Sequence, residues 1–239
     1  MDGGLIHTAM DIAAWIAAWL AYRWAKPYVP LPPGAPNRDL AYIAALLFGA
    51  GVGAVLSGTA NLWLSGQPGL ARSIEGAVLG GIVAIELYKA ICGINVRTGA
   101  RFALSFAVGA AVGRIGCFLA GMDDFTYGTP TALPWGHDFG DGVMRHPVQL
   151  YESAAMAAFA LAYVWQVKRG NRFVIDNGFY LAAGFYGLQR FVWEFFKPYT
   201  PLAGPFTLFH FLSAVLVVYA VVMIATAPKS RAANDRAFA

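Results

Sequence analysis

Seven apolar runs take up most of this chain, at residues 5–23, 41–63, 74–92, 102–120, 149–166, 178–196 and 206–227. Each comes near the ~20 helical residues that, at ~1.5 Å rise apiece, cross a hydrocarbon layer of ~30 Å. A backbone in that layer must satisfy its own hydrogen bonds, which leaves helices or closed barrels. The runs lack the period-2 alternation of barrel strands. The sequence therefore predicts an all-α integral membrane protein with seven transmembrane helices. Composition agrees: 13% of the 239 residues are charged, against about a quarter in soluble domains.

Charge sets the expected orientation. The opening "MDGGLIHTAMD" has no basic region, and the first cations, Arg23 and Lys26, follow the first run. That pattern is an anchor with its N-terminus outside rather than a cleavable leader. Threaded so, the inner side collects Arg23, Lys26, Arg38, Lys89, Arg97, Arg101, Lys168, Arg169, Arg172, Lys229, Arg231 and Arg236, and the C-terminus is cytoplasmic. Only Arg72, Arg114, Arg145, Arg190 and Lys197 fall elsewhere. The net charge of +4 is then held by the cytoplasmic leaflet, and no nucleic-acid partner is needed. No repeat divides the chain, so one domain spans 1–239, with an external loop at 121–148 and a disordered basic tail at 228–239.

Glycines recur at GxxxG spacing: Gly49 with Gly53, Gly76 with Gly80, Gly109 with Gly113. Close helix packing explains them, since no strand precedes "FGAGVGAV" as a nucleotide loop would require. Cys92 and Cys117 read as two inert buried thiols. With no CxxC and no Cys/His ligand spacing, neither a metal nor a cofactor is expected.

Charges inside the apolar runs are costly and mark function unless paired. Glu86 and Lys89 sit at helical pair spacing, and Asp11 lies in the outer half of the first helix. Arg114 follows the inner end of the fourth run by 12 residues, and Arg190 follows Gly178 by 12. Both therefore stand ~18 Å up their helices, at one depth. Either each is neutralised in the bundle, Arg114 by Glu152 and Arg190 by Glu194, or the two planar forks form a phosphate site suited to a phospholipid. Gly113 and Gly116 would give such a ligand access beside Arg114. Tyr186, Arg190, Glu194 and Lys197 share one helix face. In "RHPVQLYES" Pro147 starts a helix, His146 lies just outside it, Gln149 and Glu152 share a face, and Tyr151 sits at interface depth.

These pieces resemble the prolipoprotein diacylglyceryl transferases: "GRIG" followed by "YGTPTALPWG", then "RHPVQLYE", then "GFYLAAGFYGLQRFVWEFFKP", with looser likeness at "IH" (residues 6–7) and "SIEG" (73–76). The resemblance implies a seven-helix enzyme of the bacterial inner membrane. It implies transfer of a diacylglyceryl group from phosphatidylglycerol to the thiol of a lipobox cysteine in a prolipoprotein signal peptide, with release of glycerol 1-phosphate. It also implies that Arg114 and Arg190 are the essential arginines. Gly113, Gly116, Gly128, Gln149, Tyr151, Glu152, Tyr186, Glu194 and Lys197 then contact substrate.

The chain departs from the family pattern at several positions. Cys117 and Ala120 stand for asparagines, Asp123 or Asp124 for a glutamate across an enlarged "MDDFTYG" loop, Ala9 for a tyrosine and Lys197 for an arginine. Glu75 stands for the histidine that takes the thiol proton. Glu75, or else His146, is accordingly the expected base. Two alternatives stay open: a phospholipid-dependent transferase with another acceptor, or a phospholipid-binding or transport protein without chemistry.

Overall fold

The computed structural model describes residues 3–36 and 39–227; Arg38 and the basic tail 228–239, with Lys229, Arg231 and Arg236, lie outside the described residues. Seven helices follow one another: α1 (Gly3–Ala25), α2 (Leu40–Leu64), α3 (Ile74–Ile91), α4 (Phe102–Ala120), α5 (Val148–Lys168), α6 (Arg172–Glu194) and α7 (Leu208–Ala225). They coincide with the seven apolar runs except that α6 starts at Arg172 rather than near 178. Asn171 caps it by accepting from the Val174 amide at 3.4 Å, and Arg172, Asp176 and Asn177 in its first two turns interrupt the apolar pattern there.

Four helices, α1, α2, α4 and α7, are long and apolar enough to cross a membrane. The other three carry Glu75, Glu86 and Lys89 (α3), Glu152 and Lys168 (α5), and Arg172, Asp176, Arg190 and Glu194 (α6). The fold is that of a multi-pass membrane protein. Its outer surface agrees, since Trp15, Ile16, Trp19, Phe48, Leu161 and Val218 are all exposed, an apolar surface that belongs in lipid.

Caps position the first helices. Asp39 Oδ1 accepts from the Ala41 amide at 2.9 Å, and Tyr88 of α3 donates to Asp39 Oδ2 at 2.6 Å. That phenol hydrogen bond holds the Asp39 carboxyl below its ordinary pKa. Ser73 accepts from the Gly76 amide at 3.2 Å and so starts α3. Glu75 falls in the first turn as a result, where the helix's partial positive charge favours a carboxylate.

Glycine then sets the spacing. A Cβ on Gly53 would stand 2.2 Å from the Gly76 carbonyl oxygen, and one on Gly49 would stand 2.5 Å from that of Gly80, so α2 and α3 touch backbone to backbone as the GxxxG spacing predicts. A Cβ on Gly109 would stand 3.3 Å from that of Ala18 on α1, a tight approach, and Gly187 of α6 packs on the Ser213 carbonyl of α7. Ser153 of α5 donates to the Ala111 carbonyl of α4 at 2.8 Å. The dry core between α1, α4, α5, α6 and α7 is built of small residues, among them Ala103, Ala107, Ala110 and Ala182, with Met156 and Leu216 filling the gaps. The expected i,i+3 pair on α3 is present, with Lys89 Nζ 3.0 Å from Glu86.

The 121–148 loop adds a feature to the all-α expectation. A 3₁₀ turn, Gly121–Asp124, leads to a short antiparallel pair, β1 (His137–Asp138) and β2 (Met144–Arg145), with His137 opposite Arg145. Arg145 donates to Asp141 at 2.5 Å and holds that carboxyl below the usual range. The Thr129 amide donates to the Phe196 carbonyl at 2.7 Å, and the His146 amide to the Thr129 carbonyl at 3.0 Å. The loop is thereby tied across the end of α6.

Candidate active site

Glu152, buried on the first turns of α5, is the centre of a charge cluster. Its Oε1 accepts from Arg190 Nη1 at 2.5 Å and from Lys197 Nζ at 2.9 Å. Its Oε2 lies 2.7 Å from Arg114 Nε, an ion pair without hydrogen-bond alignment. Arg190 also meets Glu194 Oε2 at 3.0 Å, one turn on, and Glu75 Oε2 at 3.5 Å. Glu75 Oε1 accepts from Ser213 of α7 at 2.5 Å, and Glu194 Oε1 from Thr207, the cap of α7, at 2.7 Å. Three cations and three carboxylates, all nearly without solvent exposure, thus neutralise one another.

Both arginines meet on one carboxylate, as their equal counted depth requires. The pairs Arg114 with Glu152 and Arg190 with Glu194 are those of the neutralised-bundle reading. They do not displace the ligand reading, because Arg114 and Arg190 also line a cavity of about 300 Å³. His7 and Asp11 of α1, Cys117 of α4 and Asp124 of the 3₁₀ turn add polar groups to its wall, and Ile74 of α3, Gly113 of α4, Tyr199 and Phe209 line it as well. Arg190 lies over the Phe209 ring, 5.0 Å from its centre. The two guanidiniums are part of the cavity wall, whereas the carboxylates that hold them, Glu75, Glu152 and Glu194, are not, so that wall offers positioned N–H donors to an anion.

The remaining sequence candidates fall into two groups. Gly113 lines the cavity, and a Cβ there would meet only Ile74, at 4.0 Å. Gly116 does not: the space beside it is filled by Met10 of α1, 2.6 Å from a built Cβ, so its smallness serves packing. Gly128 likewise lies against the His146 backbone, 2.2 Å from a built Cβ. Glu75 is fully buried behind Arg190 and Ser213 and is not part of the cavity wall. His146 is also away from it, with Nδ1 3.3 Å from the Tyr151 hydroxyl and its ring against Phe196. Trp135 Nε1 donates to that same hydroxyl at 2.9 Å. Gln149 and Tyr186 are buried, and among the described residues neither the Gln149 amide nor the Tyr186 hydroxyl has a hydrogen-bond partner.

The thiols depart from expectation. Cys92 is exposed at the end of α3. Cys117 is buried but not inertly packed: Arg114 Nη1 approaches its sulfur to 3.8 Å, and His7 Nε2 lies 3.9 Å away. His7 Nε2 is also 3.2 Å from Asp124 Oδ1. The sequence separates His7 from Cys117 by 110 positions, so no spacing rule reveals the contact. The only signal was that "IH", Cys117 and "MDD" each stood out singly.

A family model described as prolipoprotein diacylglyceryl transferase matches residues 4–226. Among curated relatives, the phosphatidylglycerol–prolipoprotein diacylglyceryl transferase of Geobacter sulfurreducens is 37% identical over 122 residues, 48% of this chain and 45% of its own length. Proteins of the same name from Campylobacter jejuni and Oleidesulfovibrio alaskensis are each 34% identical, over 52% and 57% of this chain and 45% and 49% of their own lengths. The chain thus spans about half the length of the curated relatives it matches. No solved structure matches it.

Proposed function

The chain belongs to the prolipoprotein diacylglyceryl transferase family, and from that premise we propose that it transfers the diacylglyceryl group of phosphatidylglycerol to the thiol of a lipobox cysteine in a prolipoprotein signal peptide. Glycerol 1-phosphate is the second product. One observation carries the reading: two buried guanidiniums on different helices, Arg114 and Arg190, are braced by a shared carboxylate and line the same cavity.

In this reaction the acceptor sulfur bonds to the terminal glyceryl carbon and the carbon–oxygen bond to phosphate breaks. The electron pair stays on the phosphate oxygen, and the thiol proton is released. The phosphate gains negative charge as the bond breaks, and donors already aimed at that position stabilise it without reorganising. Arg114 and Arg190 take that role, since the planar fork suits phosphate oxygens. Glu152, Glu194 and Lys197 hold the forks in place. Glu75, one wall back, is in this reading a positioning counter-ion for Arg190 rather than the base, and His146 and Tyr151 fix the loop over the helix ends.

The same proposal extends to architecture. All seven helices cross a bacterial inner membrane as a single domain, with the N-terminus and the 121–148 loop outside and the C-terminus cytoplasmic. The positive charge at predicted inner ends supports it. Phosphatidylglycerol enters from the bilayer, and the prolipoprotein signal peptide is the protein partner.

The test is product analysis with purified protein in phosphatidylglycerol vesicles and a lipobox peptide. A thioether on the peptide cysteine, matched by glycerol 1-phosphate, is expected. Arg114→Ala should lower kcat/KM by about 10²-fold or more, the cost of removing one such donor. Lipid turnover with unmodified peptide would indicate another acceptor, and bound lipid without glycerol 1-phosphate a binding protein. Either result overturns the proposal.

A further inference from the structure

We propose that His7, Cys117 and Asp124 form a binding site for a divalent transition-metal ion, zinc by its donor chemistry, with one coordination position open to the cavity beside Arg114. The three ligand atoms come from α1, α4 and the 3₁₀ turn after α4, and all lie within 4.8 Å of one another. Zinc bonds of ~2.0–2.1 Å to nitrogen, ~2.0–2.2 Å to oxygen and ~2.3 Å to sulfur, at tetrahedral angles, set nitrogen and oxygen donors roughly 3.3 Å apart and nitrogen and sulfur donors roughly 3.6 Å apart. The observed separations are 3.2 Å for His7 Nε2 to Asp124 Oδ1 and 3.9 Å for His7 Nε2 to Cys117 Sγ. The His7 separations are thus within a few tenths of an ångström of zinc geometry, and the sulfur and Asp124 oxygen, within 4.8 Å of each other, close on the ion by side-chain rotation.

The donor types select the ion. A thiolate with an imidazole and a carboxylate is a mixed, borderline-soft set that suits zinc, whereas magnesium and calcium take oxygen ligands. The surroundings match those of metal ligands. His7 Nδ1 is 3.3 Å from Asp11 Oδ2, one turn along α1, the carboxylate–histidine arrangement that fixes which ring nitrogen faces a metal. Asp11 is itself held by Arg72 at 3.6 Å, and Thr126 donates to Asp124. Three protein ligands with a fourth position facing a cavity is the layout of an open zinc site rather than a closed structural one.

The same contacts fit another chemistry less well. Cys117, His7 and Asp11 also line up as nucleophile, base and orienting acid. Attack by Cys117 on the glyceryl carbon would, however, leave an alkyl thioether on the protein. That sulfur is a poor leaving group, and turnover would stop.

What the metal does rests on the transferase reading: the acceptor thiol binds at the open position as its thiolate, its proton passing to cavity water. The sulfur is then held beside Arg114, where the phosphate is bound. Sulfur–carbon bond formation and carbon–oxygen cleavage proceed as above, and the metal keeps its oxidation state throughout.

The experiment titrates Co²⁺ and then Zn²⁺ into purified, chelator-treated full-length protein in detergent. One equivalent of Co²⁺ should bind with a near-ultraviolet thiolate charge-transfer band and visible bands of tetrahedral intensity, all displaced by Zn²⁺. Cys117→Ser should lose the charge-transfer band and Cys92→Ser should keep it. Asp11→Asn should weaken binding about 10–100-fold, the usual cost of losing such a partner. Circular dichroism should show unchanged helicity in each variant. No stoichiometric Co²⁺ binding, or a charge-transfer band that survives Cys117→Ser, overturns the site. So does recovery of Cys117 alkylated by diacylglycerol. The transfer assay is run beside it with metal-free and Zn²⁺-loaded protein. Metal binding without thioether product refutes the transferase reading and leaves the site standing, while full transfer by metal-free protein refutes the metal's part in the transfer and leaves that reading standing.

Discussion

Glu152 is the residue on which the cluster depends most. It is the one carboxylate shared by Arg114, Arg190 and Lys197, and Glu75 and Glu194 reach only Arg190 among these three. Removing one partner of a buried ion pair leaves an uncompensated charge and costs about 3–5 kcal/mol. Glu152→Ala should therefore unfold measurably earlier than wild type in a detergent thermal melt, and also lose activity because both forks lose their brace. Glu152→Gln keeps the shape and an acceptor oxygen, and should fall between the two. Arg190→Lys should not be neutral, because one ammonium cannot span Glu152, Glu194 and Glu75 as the guanidinium does. The sequence showed these residues as costly intramembrane charges and gave the right partners for both arginines. It did not show that Glu75 faces away from the cavity, because burial behind Ser213 depends on where α7 crosses α3.

At the scale of elements, the helices were legible because each had to be apolar along nearly its whole length, and the bilayer thickness fixes that length. The Gly49, Gly53, Gly76 and Gly80 contact was legible too, since small residues at a four-residue interval have few uses other than close packing. What spacing cannot say is which helix a lone glycine faces. Gly113 opens on the cavity and Gly116, less than one turn on, seats Met10 of α1. The α2–α3 contact makes a sharp prediction. Gly53→Leu drives a side chain into the Gly76 backbone, where even a Cβ would be 2.2 Å from the carbonyl oxygen, so α2 and α3 must part. Overpacking of this kind typically costs about 1–3 kcal/mol. Gly51→Leu on the same helix points into open space, and should melt at the wild-type temperature; a matching loss in both variants would mean that the close contact is not what Gly53 serves.

Across the whole molecule, the metal cluster escaped detection for the reason that the bundle itself did not. Local pattern determines a helix, but His7, Cys117 and Asp124 are joined only when α1 packs on α4 and the turn after α4 folds back over both. Orientation is the remaining large-scale property, and the two cysteines report on it. Cys92 is exposed at the end of α3, whereas Cys117 is buried near the opposite end of the neighbouring α4. With the N-terminus outside, α3 descends and Cys92 is cytoplasmic. A charged, membrane-impermeant maleimide added to intact spheroplasts expressing Cys117→Ser should leave Cys92 unmodified until the membrane is opened, after which it should react fully. Labelling before lysis would require the opposite threading, with the cavity beside Arg114 opening toward the cytoplasm. That outcome would put the arginines in the wrong half of the bilayer for an acceptor that arrives at the outer surface.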